Sequence, residues 1–366
     1  MKTKKVFFFI FLIFLKINIY SQNIYDYKRL IKVLSSDSLC GRGYVNDGIN
    51  RSAKVIENEF KNIGIKPFFG NSYFQNFNIK VNSFPERVSL IVNRREVVPG
   101  KDYLVDPASP TIKGKYKVVT IKSVDVFDLK ILVKKIKKSK NNFLCIDFRD
   151  DSIYNDSLKN ILRQTEYLIE NKKGMPYRGV IKLTNKKLTW NVAANTKPVP
   201  IIEIFTNQQK EIIKNIKIDI KNYYFNEYYV KNIAGIIEGT LYPDTFIIVC
   251  AHYDHLGMMG KQVYFPGAND NASGVAMMMS LANYFRLNKC SYSLIFITFA
   301  AEELGLKGAD YFYNNLPIKK ENIKFLINLD MVGTGEDGIA IVNATKYENI
   351  YTKLKHINNE KNILCI

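Results

Sequence analysis

Histidine is scarce in this chain, with 3 among 366 residues, and none lies between residues 80 and 228. Without an imidazole to offer as a ligand or base, that stretch is assigned no chemistry. Cysteine is sparse too. Five cysteines, odd in number and widely spaced, give no disulfide framework. Cys145 and Cys250 sit in apolar runs and read as core residues. Acidic residues are outnumbered, 34 against 53 Lys plus Arg, for a formal charge of +19. Such an excess can serve an acidic partner, a membrane or nucleic acid. Here the lysines are scattered, apart from Lys134-Lys135 and Lys137-Lys138, and no nucleic-acid module is legible. The excess therefore reads as a solvated surface, and no nucleic-acid partner is expected. The ten-residue apolar run at residues 6–15 falls short of the roughly 20 residues a spanning helix needs.

What is present starts with that run. Lys2, Lys4 and Lys5 precede it and Lys16 ends it, which is the pattern of a secretory signal. Residues 1–21 are expected to be removed near Ser21-Gln22. The mature protein is then expected to be exported, secreted or periplasmic, with no integral membrane segment. An apolar content of 47% marks a globular chain, and its length suits two domains. Ile49, Ala53, Ile56, Phe60 and Ile63 recur at helical spacing, with Gly64 placed as a left-handed cap and Pro67 beyond it. From about residue 80 to 228 short alternating runs appear near 88–92, 116–121, 143–146 and 199–204, with helical candidates near 126–138 and 155–171. This reads as a smaller mixed α/β domain, residues 86–228. It interrupts a unit made of residues 22–85 and 229–366, and it is expected to shape substrate access or docking.

The chemistry concentrates in residues 246–330. Three apolar runs end in polar residues: residues 246–250 lead to His252, 294–299 to Glu302-Glu303, and 325–329 to Asp330. Between them lies Gly267-Ala268-Asn269-Asp270-Asn271-Ala272-Ser273-Gly274, followed by an apolar helix in which Met277 to Met279 read as core. Buried parallel strands carry function in the loops at their carboxyl ends. One imidazole with carboxylates on converging loops suits zinc. Hydrolysing an amide at neutral pH needs an activated water and a stabilised oxyanion. Two metals roughly 3.5–4 Å apart, sharing a water and bridged by a carboxylate, provide both. Asp270 is the candidate bridge. Glu302 and Glu303 are adjacent and cannot point the same way from an extended strand end, so one can bind metal while the other acts as general base.

Residues 251–257 (Ala-His-Tyr-Asp-His-Leu-Gly), 267–274, 299–308 (Phe-Ala-Ala-Glu-Glu-Leu-Gly-Leu-Lys-Gly) and 328–332 (Asn-Leu-Asp-Met-Val) occur in the order seen in the co-catalytic zinc aminopeptidases. The chain resembles that family, of the aminopeptidase S and Y type, which is related to glutaminyl cyclases. Residues 37–43 and the following helix are similar to the family's opening. Residues 86–228 resemble, more loosely, its protease-associated insertion. The resemblance implies an α/β fold with a mixed central sheet flanked by helices, and two zinc ions at the carboxyl ends of central strands. It implies His252 and Asp330 as ligands of one zinc, Glu303 of the other, and Asp270 as the bridge. Asp254 would orient His252, and Glu302 would be the general base. The implied activity is hydrolysis of N-terminal peptide bonds, with peptide or protein N-termini as partners. A glutaminyl-peptide cyclase or a non-catalytic binding homologue is the alternative.

Members of the family complete the second zinc with a further histidine beyond the Asn328-Leu329-Asp330 motif. The histidine available downstream is His356, in a basic, helix-like segment, and it reads as a surface residue. The end of the chain, Leu364-Cys365-Ile366, lies inside an apolar run and is expected to mark a shortened family domain. His255 reads as a loop hydrogen-bonder. Residues 333–338 fit a dinucleotide-loop spacing, but Glu336 and Asp337 would repel phosphate and residues 339–342 do not open a helix, so a tight turn between strands is expected. The signal segment gives a direct test: mass spectrometry of the protein from its native host should find no peptide spanning Lys5 to Asn23, and an intact N-terminus on cytosolic protein would contradict cleavage.

Overall fold

The computed structural model describes residues 24–206, 212–335 and 338–361. The expected signal segment, Glu336, Asp337 and the apolar end at 364–366 lie outside the described residues. Among those described, no helix is long and apolar enough to cross a membrane.

Two large sheets carry the described residues. The first has six strands. Tyr242–His252 runs parallel to Tyr292–Phe299 on one side and to Ile323–Asn328 on the other. Tyr223–Ile237 continues the sheet antiparallel to Tyr292–Phe299, and itself pairs with Lys66–Pro67 and Phe74–Ser83. One face is covered by the helices Ile24–Leu34, Gly48–Ile63 and Gly274–Leu287. Leu34, Ile49, Ile56 and Phe60 meet Val275, Met278, Met279, Val249 and Phe296 there in one core. The expected helical stripe is this buried face, and Gly64 caps the helix at φ +79°. The opposite face packs Ile248, Cys250, Ile295 and Ile297 against Phe312 of the short helix Lys307–Asn314. The architecture is thus an α/β sheet of mixed direction flanked by helices.

The second sheet has eight strands, all from residues 89–220. Its middle is parallel, formed by Ile112–Lys122, Phe143–Asp147, Gly179–Thr184 and Ile201–Phe205. The helices Leu129–Lys138 and Asp156–Asn171 accompany it, close to the expected ranges. The boundary expected at residue 228 falls inside the strand Tyr223–Ile237, which belongs to the first sheet. Its first half is tyrosine-rich and largely exposed, so it carries no apolar run to betray it. Residues 339–342 do not form the expected strand. Val342 is exposed, and the segment has no strand partner among the described residues.

A small hairpin joins the two halves. Gly257–Met259 pairs with Val263–Phe265. Met259 is buried in the second sheet's core, where its sulfur accepts from the Val105 N–H at 3.2 Å, and Phe265 stacks on Trp190 at 4.9 Å. Ser83 and Tyr223 are direct strand partners, so the chain leaves and re-enters the first sheet at adjacent points. Replacing residues 85–221 by a short turn should leave a chain that still unfolds cooperatively on heating, with helical circular dichroism. A broad, non-cooperative transition would show that the first sheet needs the second to fold.

Candidate metal centre

Three neighbouring parallel strands end side by side. His252 is the last residue of the central one and pairs with Phe299 of the next. Leu329, just past the third, donates its N–H to the Cys250 carbonyl at 2.8 Å, which sets Asp330 beside His252. The fourth contributor is the wide turn Ala268–Ser273, which opens the helix Gly274–Leu287 and contains the cis peptide Asp270–Asn271.

Asp270 is shared between two clusters. Its Oδ1 lies 3.3 Å from His252 Nε2, and Asp330 Oδ1 lies 3.4 Å from the same nitrogen. Its Oδ2 faces His255 Nδ1 at 3.8 Å, and that nitrogen is 2.9 Å from Glu303 Oε1. His252, Asp270 and Asp330 form one group of converging ligand atoms; His255, Asp270 and Glu303 form the other. Zinc bonds of about 2.0–2.1 Å set tetrahedrally put donor atoms about 3.3–3.4 Å apart. His252 has this spacing to both carboxylates of the first group, and the imidazole–carboxylate chemistry fits zinc. One carboxylate offering an oxygen to each group has the form of a bridge.

The four expected ligands therefore come together, with Glu302 beside them at 3.9 Å from His252 Nδ1. Asp254, almost wholly buried, lies behind His252 as expected, but its main partners differ. Its two oxygens accept the backbone N–H groups of Glu302 and Glu303 at 3.0 and 3.2 Å, while its carboxylate is 3.7 Å from His252 Nδ1. The nearer partner of that nitrogen is the Asp254 carbonyl, at 3.2 Å. Asp254 thus positions the paired glutamates as well as the imidazole. His255 does bond Glu303, and it also stands inside the second group. His356 lies on the helix Glu348–Lys361, exposed and 3.5 Å from Glu360.

Two further residues were not legible as site residues. Asn271 is fully buried. Its side chain donates to the Leu329 carbonyl at 2.9 Å and accepts from the N–H groups of Gly274 and Met331, so it ties the Asp270 turn to the Asp330 loop. Its place beside Asp270 was the one available signal. Arg42, also fully buried, donates to five carbonyls around the centre. A lone arginine in a glycine-rich turn gives no sequence signal of that kind.

The electrostatics follow from crowding. Burial opposes charge on His252, yet the carboxylates of Asp254, Asp270 and Asp330 outweigh it and push its pKa up to about 12. The His252 hydrogen bond holds the Asp270 carboxyl below its ordinary value. Burial raises Glu302, and the neighbouring acids Asp254, Glu303 and Asp330 add to this against the pull of His252. Burial lowers Arg42 to about 10, with Asp254, Asp270 and Glu303 resisting.

Comparison with known proteins agrees with this geometry. Residues 232–363 match Peptidase family M28. Aminopeptidase YwaD of Bacillus subtilis (strain 168) is 34% identical over 185 residues, covering 50% of this chain and 34% of that protein. A "Probable zinc metalloprotease" of Pyricularia oryzae is 33% identical over 113 residues, covering 30% of this chain and 22% of the relative. The chain thus spans 34% and 22% of the length of these two relatives. The solved structure of a zinc aminopeptidase from Bacillus subtilis superposes with a TM-score of 0.59 at 20% identity, over 86% of this chain and 71% of that one.

A protonated His252 must lose its proton to bind a metal, so proton and zinc compete. Because its raised pKa keeps the proton on through neutral pH, zinc affinity should rise about tenfold per pH unit for each proton released. Calorimetric titration at about pH 6.5 and about pH 7.5, in buffers of different ionisation enthalpy, should show tighter binding at the higher pH and proton release. A pH-independent affinity would contradict it. The residues of both ligand groups all lie within the stretch 232–363 that matches Peptidase family M28.

Proposed function

We infer that the chain is a zinc-dependent aminopeptidase domain that hydrolyses peptide bonds at the N-termini of peptides or proteins. The observation that carries this reading is Asp270, with one oxygen turned to each of two ligand groups and Glu302 alongside. In this reading His252, Asp270 and Asp330 hold one zinc; Asp270, Glu303 and His255 face a second. Bound zinc supplies Lewis acidity to the attacking water and the scissile carbonyl. Glu302 takes the proton from that water. Its carboxyl is half-buried and its affinity for protons is raised, which suits a base working near neutral pH. Glu303, held by His255 and more buried than Glu302, is committed to the ligand group. Asp254 holds both in register through their backbone N–H groups. The second sheet, which covers the hairpin between the His255 and Asp270 loops, is read as a protease-associated-like unit that shapes access. Export through the N-terminal segment belongs to the same proposal.

The paired glutamates supply the test. Glu302→Gln removes proton transfer and leaves the ligands, so zinc content should stay unchanged while turnover of aminoacyl peptides falls about 10²–10⁴-fold. Glu303→Gln should lose metal as well as activity, because an amide is a poor substitute for a carboxylate ligand. Equal metal loss in both variants would show the roles wrongly divided. Cyclisation of glutaminyl peptides, without hydrolysis, would favour the cyclase alternative.

A further inference from the structure

The family match begins at residue 232, yet the metal-bearing loops are tied together by a residue far upstream. Arg42 is fully buried and all its guanidinium donors are used. Nε donates to the Tyr253 carbonyl, Nη1 to those of Leu34 and Pro266, each at 2.8 Å. Nη2 donates to Gly267 at 2.8 Å and to Asp270 at 3.0 Å, across 228 residues of sequence. The Arg42 carbonyl in turn accepts the His255 N–H at 3.4 Å. Tyr253 sits between His252 and Asp254, and Gly267 and Asp270 bound the turn that carries the bridging carboxylate. One side chain thus spans the backbone of every loop in the second ligand group except that of Glu303, which Asp254 holds.

The local backbone is bent to achieve this. Cys40, Gly41 and Arg42 are all left-handed, at φ 49°, 63° and 52°. Left-handed non-glycine residues are strained and cluster at functional sites. Gly41 and Gly43 lie flat on the site hairpin. A Cβ at residue 41 would run into the carbonyl oxygens of Phe265 and Gly257, and one at residue 43 into the Gly257 backbone. At Gly267 a Cβ would run into the Asp270 carbonyl, the His255 ring and Arg42 itself. Only arginine offers five donors in a fixed planar fork; lysine has three donors on a flexible stem.

We propose that Arg42 is a positioning residue of the metal centre: its guanidinium fixes the Tyr253, Gly267 and Asp270 carbonyls so that the two Asp270 oxygens meet both ligand groups, which makes the segment Asp37–Arg42 part of the site. This rests on the metal-centre reading above and deepens it. A merely structural arginine would change stability and leave the zinc affinity of folded protein alone.

The experiment measures zinc affinity of the full chain by competition with a chromophoric chelator, beside thermal unfolding in a metal-free buffer. Folded Arg42→Lys should bind zinc about 10–100-fold more weakly, the usual effect of removing a ligand's supporting partner. Its cobalt-substituted form should show an altered visible spectrum. A folded Arg42→Lys variant with unchanged affinity would overturn the inference. Should that variant not fold, the unsubstituted chain still decides. Coupling is reciprocal, so zinc must tighten the clamp. Hydrogen exchange read by mass spectrometry should then show residues 37–43 protected on adding zinc, and unchanged exchange there would overturn the inference. An unsubstituted chain that binds no zinc would instead overturn the metal-centre reading on which this one stands.

Discussion

Carboxylate crowding is the constraint on which the rest of this structure depends. Asp254, Asp270, Glu302, Glu303 and Asp330 converge on a few loops, and the ligand atoms within each group lie within 4.8 Å of one another. Two like charges about 4 Å apart at an effective dielectric of about 20 repel by about 4 kcal/mol. Such a set stays together only if positive or donor groups surround it. His252 sits between Asp270 and Asp330, His255 against Glu303, and Asp254 is satisfied by two backbone N–H groups. Arg42 adds a buried cation behind Asp254, Asp270 and Glu303. These compensations fall short of neutralising the cluster, which is the condition under which a divalent cation is held strongly and bound protons are displaced.

Topology makes the convergence possible. Three parallel strands in adjacent positions end at the same edge, so their carboxyl-terminal residues need no long loops to meet. The alternative, gathering the same residues from antiparallel neighbours, would place successive strand ends at opposite edges. The antiparallel strand Tyr223–Ile237 borders this trio and contributes no residue to either group.

Legibility in the sequence followed the strength of local signals. The helix Gly48–Ile63 was readable because its apolar residues repeat at helical spacing and a glycine ends it. The central strands were readable because buried parallel strands are continuous apolar runs, and a polar residue closing such a run marks a functional loop. The strand Tyr223–Ile237 hid its start, since its exposed tyrosines and polar residues do not form a run. Residues 339–342 are apolar in composition without being a strand, because a run alone supplies no partner. His255 could not be read as facing Glu303, since loop residues have no fixed period. Arg42 and Asn271 act by hydrogen bonds to backbone groups far along the chain, and such partners leave no trace in local spacing.

The hairpin Gly257–Met259 with Val263–Phe265 shows how the two halves of the chain bear on one site. One of its ends leads from His255 and the other into Gly267 and Asp270. On one side Met259 and Phe265 are held by the second sheet and Trp190. On the other, Gly41 and Gly43 press against Gly257 with no space for a side chain. A segment clamped from both sides can hold the loops at its two ends at fixed separation, and precise ligand placement depends on such support from outside the ligands themselves. The fold therefore builds the centre from three parts of the sequence. The parallel strands deliver His252, the glutamates and Asp330; the hairpin spaces His255 from Asp270; and the segment carrying Arg42 closes the assembly from behind.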